Sequence, residues 1–91
     1  MVIFGYGFEI PIPDDMFREL ETGERIIAEI PFTEDDIFKG DLVRFSPESN
    51  PNVYSDYEIV GQVEPVEDEN GKFYKKLLHV EKIVPVAKGL N

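Results

Sequence analysis

Apolar and polar residues alternate along several stretches of this chain, and alternation with a period of two is typical of strands that bury one face. Every second residue is apolar over residues 2–12, and similar alternation runs through residues 25–32 and 57–63. Two further apolar runs occupy residues 41–45 and 72–84. The pattern therefore predicts five strands.

A short helix is predicted between the first two strands. Phe17 and Leu20 belong to an apolar stripe with helical spacing, and either Asp14 or Asp15 can cap the start of the helix. Gly23 is expected just after the last turn, because glycine adopts the left-handed conformation without a Cβ penalty. The helix is expected to be about two to three turns long.

Three connections have recognisable turn chemistry. Residues 33–40 are expected to form one helical turn, with Thr33 as its cap and Gly40 at its end. Residues 46–56 form a long polar loop. The Asn70-Gly71 pair predicts a type I′ hairpin turn, because both positions tolerate a positive φ.

The order of these elements predicts an α+β fold: a small mixed β-barrel of about five strands with one short helix, in a single domain over residues 1–91. The expected core consists of the apolar residues on the inward faces, namely Phe17, Leu20, Ile26, Ile30, Val43, Phe45, Ile59 and Val63.

The segments "TGER" at residues 22–25 and "KGDLVRF" at residues 39–45 stand in a strand, helix, strand, turn, strand and hairpin order. This order resembles the ASCH domains of the PUA-like superfamily over residues 8–83. The resemblance implies a PUA-like barrel. It also implies a link to RNA, since such domains are associated with RNA binding and a few bacterial members hydrolyse acylated cytidines.

The residues of the family's motif match only in part. Gly23 matches the family's glycine, but Arg25 stands where the family has a lysine. Ile26, Ala28 and Ile30 occupy the positions of its threonine, acid and arginine. Arginine stays protonated at neutral pH and cannot replace a lysine that acts as a base. The resemblance therefore implies the fold more than the chemistry.

The chain is strongly acidic. Its 19 Asp and Glu residues against nine Lys and Arg residues give a net charge of −10. That charge disfavours binding to free duplex nucleic acid, which requires cations to neutralise phosphates. The acids serve solubility, or they form a surface that docks on a basic partner protein. The candidate acidic surface consists of Asp14, Asp15, Glu34, Asp35 and Asp36.

Several chemistries lack their residues. The chain has no cysteine and one histidine, His79. Disulfides, thiolate metal sites and thiol nucleophiles are therefore excluded, and no phosphate-binding glycine loop is present. We expect no metal site, no cofactor and no catalytic residues, although the patterns leave enzyme activity open.

Three cations are candidates for an anion-facing pocket, namely Arg25, Arg44 and Lys82. Arginine binds carboxylates and phosphates through two parallel hydrogen bonds, so a nucleotide or single-stranded RNA is a candidate ligand. The competing expectation, which we favour, is that Glu29 or Asp41 pairs with the arginines and leaves no ligand site.

We therefore expect a non-catalytic small binding domain whose acidic surface docks on a partner protein with a basic patch. Two alternatives stay open. One is an acidic inhibitor of the phage or mobile-element type that mimics nucleic acid, and the other is an ASCH-like RNA- or nucleotide-binding or hydrolase domain with an altered pocket. No signal peptide or apolar run of about 20 residues is present, so we expect a cytoplasmic protein without membrane contact.

Overall fold

The computed structural model describes residues 6–83, with side chains from Phe8 onward. Parts of the predicted first and last strands lie outside these residues. The elements are, in chain order, β1 (Tyr6–Ile12), α1 (Asp14–Thr22), β2 (Ile27–Pro31), β3 (Leu42–Pro47), β4 (Ser55–Ile59), β5 (Glu64–Glu67) and β6 (Phe73–Lys82).

The strands form one sheet in the order β1-β3-β4-β6-β2, and β5 also pairs with β6. β1 and β3 run parallel, and the other pairs are antiparallel. β4 and β5 lie along the same side of β6, where Ile59 pairs with Val80 and Glu64 pairs with Leu77. Together they fill one strand position of the barrel, but the predicted strand over residues 57–63 ends at Ile59 in the structure, and β5 lies beyond the predicted residues. The fold is therefore the predicted one, a nearly closed mixed barrel of five strands with one short helix.

The break between β4 and β5 lies at a glycine that touches β6. A Cβ atom on Gly61 would lie 3.1 Å from the Cβ of His79, closer than side chains normally approach. Next to this contact, the N–H of Val60 donates to the carbonyl of His79 at 2.8 Å. The absence of a side chain at Gly61 thus lets the strand bend close to β6 without losing contact with it.

The core confirms most of the predicted inward positions. The buried apolar residues are Ile12, Leu20, Ala28, Ile30, Ile37, Val43, Phe45, Tyr57, Ile59, Leu78 and Val80. Phe17 and Val63 are partly buried and pack against this core. The prediction was wrong for Ile26, which is 54% exposed. Ile26 has the parity of a core position but precedes β2 at an open end of the barrel, where it lines a depression.

The two ends of α1 were predicted with unequal success. Gly23 follows the helix with φ of 84°, as expected. The start has no side-chain cap, because Pro13 occupies the cap position. The carboxylate of Asp14 instead accepts a hydrogen bond from the N–H of Ser49 at 3.0 Å, and that of Asp15 accepts from the N–H of Met16 at 2.9 Å. Hydrogen bonds from Ser49 hold the pKa of Asp14 below its usual value.

The predicted helical turn over residues 33–40 was wrong. The hydroxyl of Thr33 accepts from the N–H of Asp35 at 3.1 Å, which satisfies the backbone locally without a helix. The carbonyl of Phe38 accepts from the N–H of Asp41 at 3.0 Å in a turn that contains Gly40. Between these two turns, Ile37 is buried and fastens the segment to the core.

The predicted type I′ turn was also wrong. Gly71 has φ of 80°, but among the described residues no residue other than glycine has a positive φ, so Asn70 does not. The N–H of Gly71 donates to Asp68 O at 3.1 Å, and Asp68 N donates to Lys72 O at 2.8 Å. The carboxylate of Asp68 also accepts from the N–H groups of Asn70 and Lys72. The hairpin therefore has a three-residue loop that ends on a left-handed glycine.

Each free strand edge of the described sheet carries an outward-facing proline. Phe32 donates its N–H to β6, so the preceding residue, Pro31, faces away from β6. The carbonyl of Ile12 accepts a hydrogen bond from the residue after β3, so Pro11 faces away from β3. The backbone N–H groups of β6 point alternately toward β2 and β5. Pro65 pairs with Lys76, whose backbone faces β2, so the backbone nitrogen of Pro65 points away from β6. Each edge thus lacks a donor that a further strand would need.

Candidate functional site

A groove of about 770 Å³ lies between residues 32–39 and the β5–β6 hairpin. We call it the acidic-rimmed groove. Its apolar surface comes from Phe32, Ile37, Phe38, Val63, Pro65 and Phe73. A volume of this size lies within the range of roughly 300–1,000 Å³ that is usual for ligand pockets.

One wall of the acidic-rimmed groove is a pair of stacked rings. The rings of Phe32 and Phe73 have centroids 5.4 Å apart and planes inclined by 27°. Phe73 reaches this wall because the pairing of β5 with β6 shifts register and leaves Tyr74 as an extra residue. A regular strand would place Phe73 and Lys76 on opposite faces, whereas both line the groove here.

The opposite rim is formed by an exposed aromatic residue. Phe38 is 63% exposed, and its N–H donates to the carboxylate of Asp41 at 2.8 Å. The preceding residue, Ile37, is buried in the core. The turn therefore holds the ring of Phe38 outward next to the groove, although an exposed phenylalanine gains nothing for the fold.

The rim of the groove carries two exposed carboxylates, Glu34 and Asp36, neither of which forms an ion pair within residues 6–83. Two lysines also line it. The ammonium of Lys76 is held by the carbonyl of Asp35 at 2.9 Å and lies 5.3 Å from the ring centroid of Phe32. Lys39 is exposed. The groove thus combines an apolar floor with two exposed carboxylates and two ammonium groups, of which that of Lys76 is already held by a backbone carbonyl.

The predicted acidic surface is divided between two places. Glu34 and Asp36 line the acidic-rimmed groove, and Asp35 belongs to the same segment. Asp14 and Asp15 lie in the first turn of α1, outside the lining of the groove. The structure thus brings only the second group beside exposed apolar surface.

Two of the predicted ligand-binding cations, Arg25 and Lys82, line a second depression of about 320 Å³ beside the end of α1. The Nε of Arg25 lies 2.8 Å from Glu19 Oε1, and its Nη1 lies 3.7 Å from Glu29 Oε2. The Nζ of Lys82 lies 2.9 Å from Glu21 Oε1. Both cations are therefore paired with carboxylates, and Glu29 is one of the partners that the sequence suggests.

Arg44 lies elsewhere, on β3, which is not adjacent to β2 in the sheet. Its Nε and Nη2 donate to the two carboxylate oxygens of Asp56 at 2.7 and 3.2 Å. Its guanidinium carbon also lies 3.9 Å from the ring centroid of Tyr54. Asp56 thus takes the place expected for Asp41, and Arg44 does not share a cleft with the other two cations.

The carboxylate of Glu21 joins the helix to the barrel. Tyr57 donates its hydroxyl to Glu21 Oε2 at 2.7 Å, while Lys82 bonds to Oε1. Burial raises the pKa of Glu21, but hydrogen bonds from Tyr57, Ser55 and Lys82 lower it more, so its pKa lies below the usual value of 4.5. Burial, together with the Glu21 carboxylate, raises the pKa of Tyr57 far above 10. This cluster holds the end of α1 in place.

The remaining chemistry of the described residues is limited. Within residues 6–83, no group of three or more His, Asp and Glu side chains is placed to hold a metal ion. His79, the one histidine, lies on β6 against Gly61. No helix among these residues is long and apolar enough to cross a membrane.

Comparison of the chain with models of known protein families finds no match, and comparison with curated proteins finds no similar sequence. Sequence reasoning missed the acidic-rimmed groove, although "PFTEDDIF" at residues 31–38 places an acidic triplet between two apolar pairs.

Proposed function

We propose that this protein is a non-catalytic binding module that docks on a basic segment of a partner protein. The observation that carries the proposal is the acidic-rimmed groove, where exposed apolar surface and exposed carboxylates lie side by side. Exposed apolar surface rimmed by polar groups is typical of interaction sites, because water is readily displaced from it.

The distribution of ion pairs supports a basic partner. All 19 carboxylates lie within the described residues. Ion pairs there engage only four of them, namely Glu19, Glu21, Glu29 and Asp56. The same pairs occupy Arg25, Arg44, Lys75 and Lys82. Most of the negative charge is therefore uncompensated, whereas half of the described cations are already engaged. Such a surface attracts positively charged partners and speeds their association.

The blocked strand edges support contact through side chains. Pro11, Pro31 and Pro65 each remove an outward N–H that an added strand would need. A partner peptide that lengthens the sheet would lose these hydrogen bonds. Docking through apolar and charged side chains in the groove has no such cost.

The fold and the absence of cysteine lead to two further proposals. The first is that the barrel is a variant of the PUA-like type, and the order of its elements supports this proposal. In this variant the candidate ligand-binding cations form ion pairs within the chain. A cytoplasmic location is the second proposal, and the absence of cysteine is compatible with a reducing compartment.

The test of the docking function compares short peptides of opposite charge. We expect KKSKK to shift the amide NMR signals of residues 33–39 at low ionic strength, and EESEE to leave them in place. Changing Glu34→Gln together with Asp36→Asn should weaken binding about two- to thirtyfold, the effect of two exposed ion pairs. Binding should also fall at about 1 M salt, where charges are screened beyond about 3 Å.

The matched control changes two exposed carboxylates away from the groove, Glu24→Gln with Glu48→Gln. This variant loses the same net charge, and at about 0.15 M ionic strength, where charges are screened beyond about 8 Å, it should bind KKSKK within about twofold of the wild type. If KKSKK binds no more tightly than EESEE, the proposed function is wrong. Equal losses in the two double variants would place the binding surface outside the groove.

A further inference from the structure

We infer that the acidic-rimmed groove accepts one large apolar side chain of the partner, flanked on both sides by lysine or arginine. This inference rests on the proposed function and goes further, because it names the feature that the partner must carry. An acidic surface alone accepts any basic segment, whereas an apolar slot between the acids selects among them.

The floor of the groove is apolar and its rim carries carboxylates, and both features suit such a segment. The apolar floor and walls are formed mainly by Ile37, Val63 and the stacked rings of Phe32 and Phe73. The carboxylates of the rim belong to the residues on either side of Asp35. Lys39 and Lys76 also line the groove, but the ammonium of Lys76 is held by the carbonyl of Asp35. A side chain that enters the groove brings the neighbouring residues of its own chain close to Glu34 and Asp36, where cations are favoured.

The apolar slot of the groove is already formed without an occupant. Stacking holds Phe32 against Phe73, and the bulge at Tyr74 sets the direction of Phe73. Lys76 ties this wall to the opposite segment through its hydrogen bond with Asp35 O. A wall fixed in this way loses little conformational entropy when a side chain enters, so the apolar contact contributes to affinity.

Charge excludes a second copy of this chain as the occupant. Each copy has a net charge of −10, so two grooves or two rims that meet would bring carboxylates together. Within the described residues, two basic side chains are adjacent in sequence only at Lys75 and Lys76. The carboxylate of Glu29 binds Lys75, and the carbonyl of Asp35 binds Lys76. The occupant is therefore a segment of a different, basic protein.

The experiment uses the absence of tryptophan in this chain, which makes a tryptophan in the peptide a direct reporter. The peptide KKWKK is titrated with the protein, and the tryptophan fluorescence of the peptide is recorded. KKSKK, of the same charge, is measured by its displacement of KKWKK. We expect KKWKK to bind about tenfold more tightly, the effect of burying part of one large side chain. Its emission should shift to the blue.

Two exposed aromatic residues provide a matched pair of variants. Phe38→Ser removes the rim of the slot, and its 63% exposure means that the barrel should keep its fold, which circular dichroism checks. We expect it to bring the affinity for KKWKK to about that for KKSKK. Tyr54→Ser removes an aromatic residue that is 52% exposed and does not line the groove. It should leave both affinities unchanged.

The possible results separate this inference from the proposed function. Equal affinities for KKWKK and KKSKK, or an unchanged affinity in Phe38→Ser, would refute the apolar slot while leaving docking on basic segments in place. If neither peptide binds at millimolar concentration, both ideas fail. If the neutral peptide GSWSG binds as tightly as KKWKK, the slot stands and the basic partner is wrong. A dimer in sedimentation experiments that dissociates on adding KKWKK would make a second copy the occupant and overturn the inference.

Discussion

Replacing Tyr57 with phenylalanine removes one hydroxyl from the barrel and tests how the end of α1 is held. The Tyr57 hydroxyl donates to Glu21 Oε2 at 2.7 Å, and the tyrosine is 1% exposed. Only Leu20 among the residues of α1 is fully buried. The hydrogen bond to Glu21 should therefore account for a substantial part of the contact between the helix and the barrel.

The expected loss follows from the kind of hydrogen bond. A hydrogen bond to a charged group contributes about 1.5–3 kcal/mol to the free energy of unfolding. The side chain of Glu21 is 26% exposed and keeps its contact with Lys82 at 2.9 Å, so water and the lysine offset part of the loss. We expect Tyr57→Phe to lower the free energy of unfolding by about 1–2 kcal/mol at neutral pH. For a domain of this size, each kcal/mol corresponds to about 4–8 °C in Tm.

The pH dependence gives the prediction its sharpest form. The pKa of Glu21 is lowered in the folded protein, so its contribution is complete above its ordinary value of 4.5 and is lost as the pH falls through the lowered pKa. The pKa of Tyr57 is raised, so its contribution is complete below its ordinary value of 10.0 and declines as the pH rises toward the raised pKa. The difference between wild type and Tyr57→Phe should therefore be largest between these two values.

Urea denaturation at neutral pH and at a pH below the lowered Glu21 pKa measures this difference. Tyr74→Phe, at an exposed position, serves as the control and should change stability by less than about 0.5 kcal/mol. A loss in Tyr57→Phe no larger than that of the control would show that the bond only replaces one made with water. A loss of equal size at both pH values would show that the charge of Glu21 does not strengthen it.

Three further predictions concern packing and metal binding. Phe45→Ala should lower the free energy of unfolding by about 3–5 kcal/mol because Phe45 is 0% exposed, whereas Ile26→Ala should change it by no more than about 0.5 kcal/mol. Comparable losses for the two variants in urea denaturation would show that the assigned core is wrong. Gly61→Ala should lower the free energy of unfolding by about 1–3 kcal/mol, since the added methyl group would lie 3.1 Å from the Cβ of His79. An unchanged Tm would mean that the segment between β4 and β5 moves away from β6 easily. Neither calcium nor EDTA should move the Tm, because no cluster of metal ligands converges within residues 6–83, and a shift of several degrees would contradict this.

Local patterns were sufficient for much of the fold. The period-two alternation placed Ile30, Val43, Phe45 and Ile59 in the core, because neighbouring side chains of a strand point to opposite faces whatever lies around them. Gly23 marked the end of α1 for an equally local reason, since only glycine adopts a φ of 84° without strain. The helix, the main strands, their order and the class of fold could therefore be predicted from the sequence, whereas the local form of two turns could not.

Local patterns failed where the burial of a residue depends on segments that are distant in the chain. Ile26 has the parity of a core residue, but burial also requires another element to cover it, and none does so at that end of the barrel. Ile37 looked like part of a helical turn, yet it is buried in the core and the turn is not helical. The energy of such residues depends on contacts that alternation along the chain does not contain.

The candidate site belongs almost entirely to the tertiary structure. The sequence by itself determined that the molecule is acidic and that thiol chemistry is absent. Only the folded chain decided that Arg25 and Arg44 are held by carboxylates on other elements and lie in different depressions. Only the register shift at Tyr74 placed Phe73 against Phe32, 41 positions away in the chain. Ion pairs and grooves form between residues that are distant in the chain, so their partners are set by strand pairing.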